Sequence, residues 1–133
     1  MSSWIGAGAA VLTVVVALGV WFDSRPDWTI ELVAGPDAGS AAATVRGWNT
    51  DSGTRMVLDV DGVAVAPADA FYEVWLSAPD GRRVSAGTFR SPGRIHVTAA
   101  VSRADYPRVW VTQEPTVDDE TSYQTTVFDT PTG

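Results

Sequence analysis

The chain opens with an apolar run and then changes to alternating apolar and polar positions. The nineteen residues Trp4 to Phe22 include no charged side chain. As an α-helix they span about 28 Å, close to the thickness of the hydrocarbon core of a bilayer. Tryptophans near both ends of the run suit the aromatic belts found at membrane interfaces. The pattern predicts a short tail at 1–3 and a transmembrane helix at 4–22.

This run has two other interpretations. A cleaved signal peptide remains an alternative because Ala17 and Gly19 form a small-x-small pattern, although residues 1–3 lack the usual basic side chain. A buried core helix is disfavoured, since no second helix is predicted for it to pack against. A polar linker ends the run, and it consists of Asp23, Ser24, Arg25, Pro26 and Asp27.

From residue 28 onward, segments of period-2 alternation are separated by turn residues such as Gly35-Pro36-Asp37 and Pro79-Asp80-Gly81. The regular spacing of these segments predicts an all-β domain over 28–133. We expect an antiparallel β-sandwich, immunoglobulin- or fibronectin-III-like, with seven to eight strands. The predicted strands are Trp28–Ala34, Ala42–Trp48, Thr54–Val60, Ala70–Ser77, Arg83–Phe89, Arg94–Val101, Arg108–Glu114 and Gln124–Phe128.

Alternation also assigns faces within the predicted strands. In the fourth strand, Tyr72, Val74 and Leu76 share one face, and Phe71, Glu73 and Trp75 share the other. Burial in the core is the default expectation for the strand tryptophans, and Trp75 in particular is predicted to be buried. The alternative is an exposed aromatic strip, which would favour binding of a polymer. The tryptophans in these patterns are Trp28, Trp48, Trp75 and Trp110.

Charge and chemistry narrow the function further. The net charge of -7 disfavours nucleic acid as a partner, and the lack of cysteine excludes disulfides and thiolate metal sites. His96 has no nucleophile or carboxylate partner that the sequence identifies, so a catalytic role is not predicted. The fragment Asp59-Val60-Asp61-Gly62 has too few oxygen ligands for a calcium-binding loop. The acidic run Asp118-Asp119-Glu120 is interpreted as a solvated loop. The sequence predicts no enzyme activity, cofactor or metal.

Four segments in a consistent order resemble the C-terminal domain of anti-sigma-K factors. They are Trp28-Thr29-Ile30-Glu31-Leu32, Phe71-Tyr72-Glu73-Val74-Trp75-Leu76, Val84-Ser85-Ala86-Gly87-Thr88-Phe89 and Val111-Thr112-Gln113-Glu114-Pro115. This resemblance implies a β-rich domain outside the membrane, one transmembrane helix, and a cytoplasmic N-terminal domain that holds a sigma factor. It also implies release by stepwise proteolysis. At Gly62-Val63-Ala64 the sequence departs from the Gly-Leu-Pro usual in that family.

Only Met1-Ser2-Ser3 precedes the apolar run, so we expect either a fragment or a stand-alone relative without the sigma-binding domain. Two functions remain open: an extracytoplasmic regulatory domain of a membrane-anchored anti-sigma factor, or an envelope-anchored module that binds a cell-wall polymer or partner protein. For the first, the linker Asp23–Asp27 is the candidate cleavage site for a protease, because Pro26 keeps the backbone before it extended.

Overall fold

The computed structural model describes residues 24–116 and 125–132. The predicted tail at 1–3, the predicted helix at 4–22, Asp23 and the acidic run 118–120 lie outside the described residues. Within the part of the chain that is described, no helix is long and apolar enough to span a bilayer.

The described residues form eight strands, as the alternation predicted. They are β1 (Trp28–Ala34), β2 (Ala42–Thr50), β3 (Gly53–Asp61), β4 (Ala70–Ser77), β5 (Arg83–Phe89), β6 (Gly93–Ala99), β7 (Arg108–Pro115) and β8 (Thr125–Asp129). Every pair of neighbouring strands is antiparallel, in the order β5-β4-β7-β8-β1-β2-β3-β6. The predicted all-β antiparallel fold is therefore confirmed.

The strands form one curled sheet, so the predicted division into the two separate sheets of a sandwich is not confirmed. β1 joins the two halves: Trp28 to Leu32 pair with β2, whereas Val33 and Ala34 pair with β8. The terminal strands β5 and β6 meet where a Cβ added to Gly87 would lie 2.9 Å from a methyl carbon of Val97. This close approach, which the absence of a side chain at Gly87 permits, makes the sheet nearly barrel-shaped.

The interior is filled mainly by aliphatic side chains of moderate size. Of the two faces that alternation assigned in β4, the one with Tyr72, Val74 and Leu76 is the inner face, since all three side chains are buried. The prediction for Trp75 is wrong, because this side chain is only half-buried and lies on the outer face. A small barrel has a narrow interior, and smaller side chains fill it while a tryptophan fits better outside. Fully buried core residues include Val45, Met56, Leu58, Val109, Val111 and Phe128.

Trp28, at the start of β1, packs across β2 from the inner side. Its partner in the register is Gly47, and a Cβ added to Gly47 would overlap the indole ring. Arg103 belongs to the connection between β6 and β7, and its guanidinium carbon lies 4.4 Å from the centre of the same ring. Gly47 therefore provides the space in which the first aromatic residue of the domain packs.

Two matched valine truncations test the placement of the core. Val111 is 0% exposed and Val33 is 53% exposed, and both lie in strands. Val111→Ala should lower the free energy of unfolding by about 2–3 kcal/mol through lost burial and a residual cavity. Val33→Ala should cost less than about 0.5 kcal/mol, as is usual for exposed positions. Equal losses in chemical denaturation would contradict the assigned faces.

A double-mutant cycle tests the contact between Trp28 and Gly47. Gly47→Ala should destabilise the domain by about 1–3 kcal/mol, because the new methyl group collides with the ring. In the Trp28→Ala background the same substitution should cost little, giving a coupling of about 1 kcal/mol or more in thermal or urea unfolding. Additive losses would show that the ring does not occupy this space.

Candidate functional site

The linker that was predicted from the sequence runs along the end of β2. The backbone N–H of Asp27 donates to the carbonyl oxygen of Gly47 at 2.8 Å. In return, the Asp27 carboxylate accepts the backbone N–H of Asn49 at 2.7 Å. The last residue of the linker is therefore held against the end of β2, next to the first pair of the β1–β2 ladder.

A second contact holds the linker further upstream. The indole N–H of Trp48 donates to the carbonyl oxygen of Ser24 at 3.3 Å. We call these contacts of Ser24 and Asp27 with Gly47, Trp48 and Asn49 the linker clamp. Arg25, between the two held residues, is exposed, and Pro26 is half-buried. The clamp therefore fixes both ends of a four-residue stretch and leaves its centre accessible.

The outer face of β2, β3 and β6 lies beside the clamp. Register places Arg46, Val57 and His96 in one row across the three strands, and Thr44, Asp59 and Arg94 in the next. We call Arg46, Trp48, Arg55, Arg94 and His96 the cationic face. Together with Ser24 and Val57 these residues line a shallow pocket of about 160 Å³.

Specific contacts order the side chains of the cationic face. Asp59 accepts hydrogen bonds from Arg46 at 3.3 Å and from Arg94 at 3.1 Å, so one carboxylate bridges two guanidinium groups. The guanidinium carbon of Arg55 lies 4.7 Å from the centre of the Trp48 ring, within the range of a cation–π interaction. Among the described residues, the face therefore combines an aromatic ring with three guanidinium groups, two of which are bridged by Asp59.

A different cluster lies on the outer face of β4 and β7. The rings of Trp75 and Trp110 stack with their centres 6.1 Å apart. Arg83 lies 4.3 Å from the centre of the Trp75 ring, and Arg108 lies 4.3 Å from that of Trp110. Arg108 also binds Asp129 through two hydrogen bonds, of 2.9 and 2.6 Å. We call these four aromatic and basic residues the tryptophan–arginine cluster.

Both indole N–H groups of the tryptophan–arginine cluster are bonded within the fold. Trp75 donates to the hydroxyl of Thr112 at 2.9 Å, and Trp110 donates to the hydroxyl of Ser77 at 2.7 Å. Thr112 is 0% exposed. The two rings thus cover the outer side of β4 and β7, with arginines above them. This arrangement stabilises an outer sheet face that the alternation pattern had identified as apolar.

The titratable groups with shifted pKa values take part in local structural contacts. Burial raises the pKa of Tyr72, whose neutral hydroxyl donates to the carbonyl of Ala64 at 2.8 Å. The backbone N–H and then the side chain of Arg82 lower the pKa of Asp80. The hydrogen bonds that Arg108 donates to the Asp129 carboxylate raise the pKa of Arg108. The shift of Tyr72 thus follows from burial, whereas those of Asp80 and Arg108 follow from hydrogen bonds that order a turn or join two strands.

The other candidate residues from the sequence occupy ordinary strand positions. His96 is exposed on β6, and Asp59 of the calcium-like fragment is bound by the two arginines described above. Across residues 24–116 and 125–132, no group of three His, Asp or Glu side chains is placed to hold a metal ion. Sequence reasoning missed the linker clamp, because its partners are about twenty residues apart along the chain.

Comparison with known proteins gives one match. The family model described as "Anti-sigma-K factor rskA, C-terminal" matches residues 6–133. No curated protein matches, and no solved structure matches. The match covers nearly the whole chain, including most of the apolar run and all eight strands. The chain therefore belongs to the anti-sigma-K factor C-terminal family.

Proposed function

We propose that this chain is the extracytoplasmic regulatory domain of a membrane-anchored anti-sigma factor. The observation that carries the proposal is the family match over residues 6–133, which joins the apolar run and the β domain in one unit. Membership of this family implies a regulatory role and interaction with a sigma factor. The uncharged run Trp4–Phe22 supports a single-pass anchor, with the N-terminus in the cytoplasm and the β domain outside.

In this proposal the β domain acts through the linker that connects it to the anchor. A protease needs an extended stretch of backbone free of secondary structure, and such stretches concentrate at exposed links between elements. The linker clamp bonds Ser24 and Asp27 to β2 and leaves Arg25 exposed between them. An intact β domain thus restrains the linker, and a change at the end of β2 would release it to a protease.

The alternative proposal, an envelope module that binds a polymer or partner protein, would be favoured by an accessible aromatic strip free of arginine. Among the described residues, the tryptophans of the outer faces have arginines over their rings. Trp110 is only 8% exposed, and Trp48 and Trp75 are half-buried. Planar stacking on sugar rings needs open aromatic faces, so this arrangement favours the regulatory proposal.

A reporter experiment tests the regulatory role. Residues 1–133 fused behind a cytoplasmic anti-sigma domain should repress a sigma-dependent reporter, whereas residues 1–133 alone should not. The reason is size: a standard protein interface needs about 800 Å² from each partner, which residues 1–3 cannot supply on the cytoplasmic side. The fusion should fractionate with membranes, resist carbonate extraction and expose its β domain to external protease.

Two results would contradict this proposal. One is strong repression by residues 1–133 alone that persists after removal of residues 28–133. The other is recovery of a soluble form that begins near Val20, which would establish cleavage of a signal peptide in place of an anchor.

Limited proteolysis tests the linker clamp. Trp48→Phe removes the indole N–H that binds Ser24 but retains a ring beneath Arg55. Loss of one hydrogen bond should raise the rate of cleavage within residues 23–27 about fivefold, measured by subtilisin digestion of the full chain in lipid nanodiscs with mass spectrometry.

The matched control is Trp75→Phe, which removes an indole N–H that binds Thr112 far from the linker along the sheet. This variant should leave linker cleavage unchanged. Equal rates for the parent and both variants would show that the clamp does not restrain the linker.

A further inference from the structure

The positive charge of this acidic chain is unevenly distributed. The net charge is -7, with nine arginines, no lysine and one histidine. Three of those arginines lie together on the cationic face of β2, β3 and β6, next to Trp48. A chain of this charge is repelled by an anionic surface in most orientations. The cationic face is a part of the domain that an anionic surface could approach without this repulsion.

The acids near this face only partly offset its charge. Asp59 is shared between Arg46 and Arg94, whose side chains remain 34% and 64% exposed. Glu31 lies at the β1 border of the face, in register with Thr44. Asp27 is engaged by the backbone of Asn49 at the end of β2. Asp59 therefore offsets only part of the charge of Arg46 and Arg94, and both of these side chains reach solvent.

The cationic face lies close to the point where the linker enters the β domain. This position indicates which partner the face contacts. Trp48, a member of the face, binds the carbonyl of Ser24. Phe22, the last residue of the apolar run, is two residues earlier, so it lies at most about 7 Å of backbone from Ser24. If residues 4–22 cross the bilayer, which is the function proposed above, the cationic face lies at the level of the lipid headgroups.

We propose that the cationic face lies against the anionic phospholipid headgroups of the membrane that the anchor enters. Guanidinium groups bind phosphate oxygens in a bidentate manner, and a tryptophan with a polar edge suits the interfacial region. The short tether holds the face near the headgroups at a high effective concentration. An acidic protein would have to displace the lipids to reach it.

This docking has a consequence for the linker. Trp48, which binds Ser24, is part of the cationic face. Docking of this face would therefore enclose the linker between the domain and the bilayer. Cleavage would then require both release of the clamp and lifting of the domain from the lipid. The proposed docking thus adds a second restraint to the proteolysis that the anti-sigma function requires.

The absence of cysteine allows single labels to be placed without background. Thr98→Cys puts a fluorophore on the exposed end of the cationic face, and Thr125→Cys puts one at an exposed position of β8, on the opposite side of the sheet. The full chain is reconstituted into nanodiscs of phosphatidylcholine alone or with one-third phosphatidylglycerol. Quenching by a headgroup-attached quencher lipid then reports how close each label lies to the bilayer surface.

The label at position 98 should be quenched strongly in the anionic discs and weakly in the neutral ones, and the label at position 125 weakly in both. Replacing Arg46 and Arg94 by Gln should lower the ratio of docked to undocked domain about fivefold for each arginine. Replacing both by Lys should retain docking, which separates charge from packing. About 0.5 M NaCl should release the domain by screening.

The matched control removes Arg82 and Arg108, which pair with Asp80 and Asp129 away from the cationic face. This Gln double variant carries the same net charge as the first and should dock normally. Equal quenching of both labels, or quenching that ignores phosphatidylglycerol, would overturn the docking proposal. Failure of the parent chain to enter neutral discs would instead overturn the anchor, so the two failures are distinguishable.

Discussion

The fold depends on the divided pairing of β1. Its first five residues, Trp28 to Leu32, continue the ladder of β2, β3 and β6, and its last two, Val33 and Ala34, pair with β8. Backbone groups that are not paired within a buried sheet cost free energy, so one strand serves both halves of the molecule. The curl of the sheet, the closeness of β5 and β6 and the single core all follow from this junction.

The strand boundaries could be predicted because turn chemistry and alternation are local. β1, β4 and β5 begin and end at the predicted residues, since Gly, Pro and Asp mark their ends. The joining of the halves could not be predicted, because the register between β1 and β8 depends on side chains far apart in sequence. Alternation separated the two faces of β4 correctly, but it could not show which apolar face the barrel encloses.

The candidate site shows the same limit. Composition and the order of motifs depend on the sequence alone, and they were enough to identify the family and the linker. The partners of the linker, Gly47 to Asn49, lie on another strand, and the arginines that cover Trp48 and Trp75 come from neighbouring strands as well. Cross-strand pairs of this kind carry much of the energy of a sheet surface. They become visible only when the register is known.

The linker clamp determines where a force applied to the tether first acts on the domain. Tension applied to the chain ahead of Ser24 is carried first by the Trp48–Ser24 and Asp27–Gly47 bonds, and then by the β1–β2 ladder itself. Because β1 is also the strand that joins the two halves, the load path leads directly to the junction of the fold. A pull on the tether therefore meets the weak bonds of the linker clamp before it reaches β1, the strand whose loss would separate the barrel into two halves.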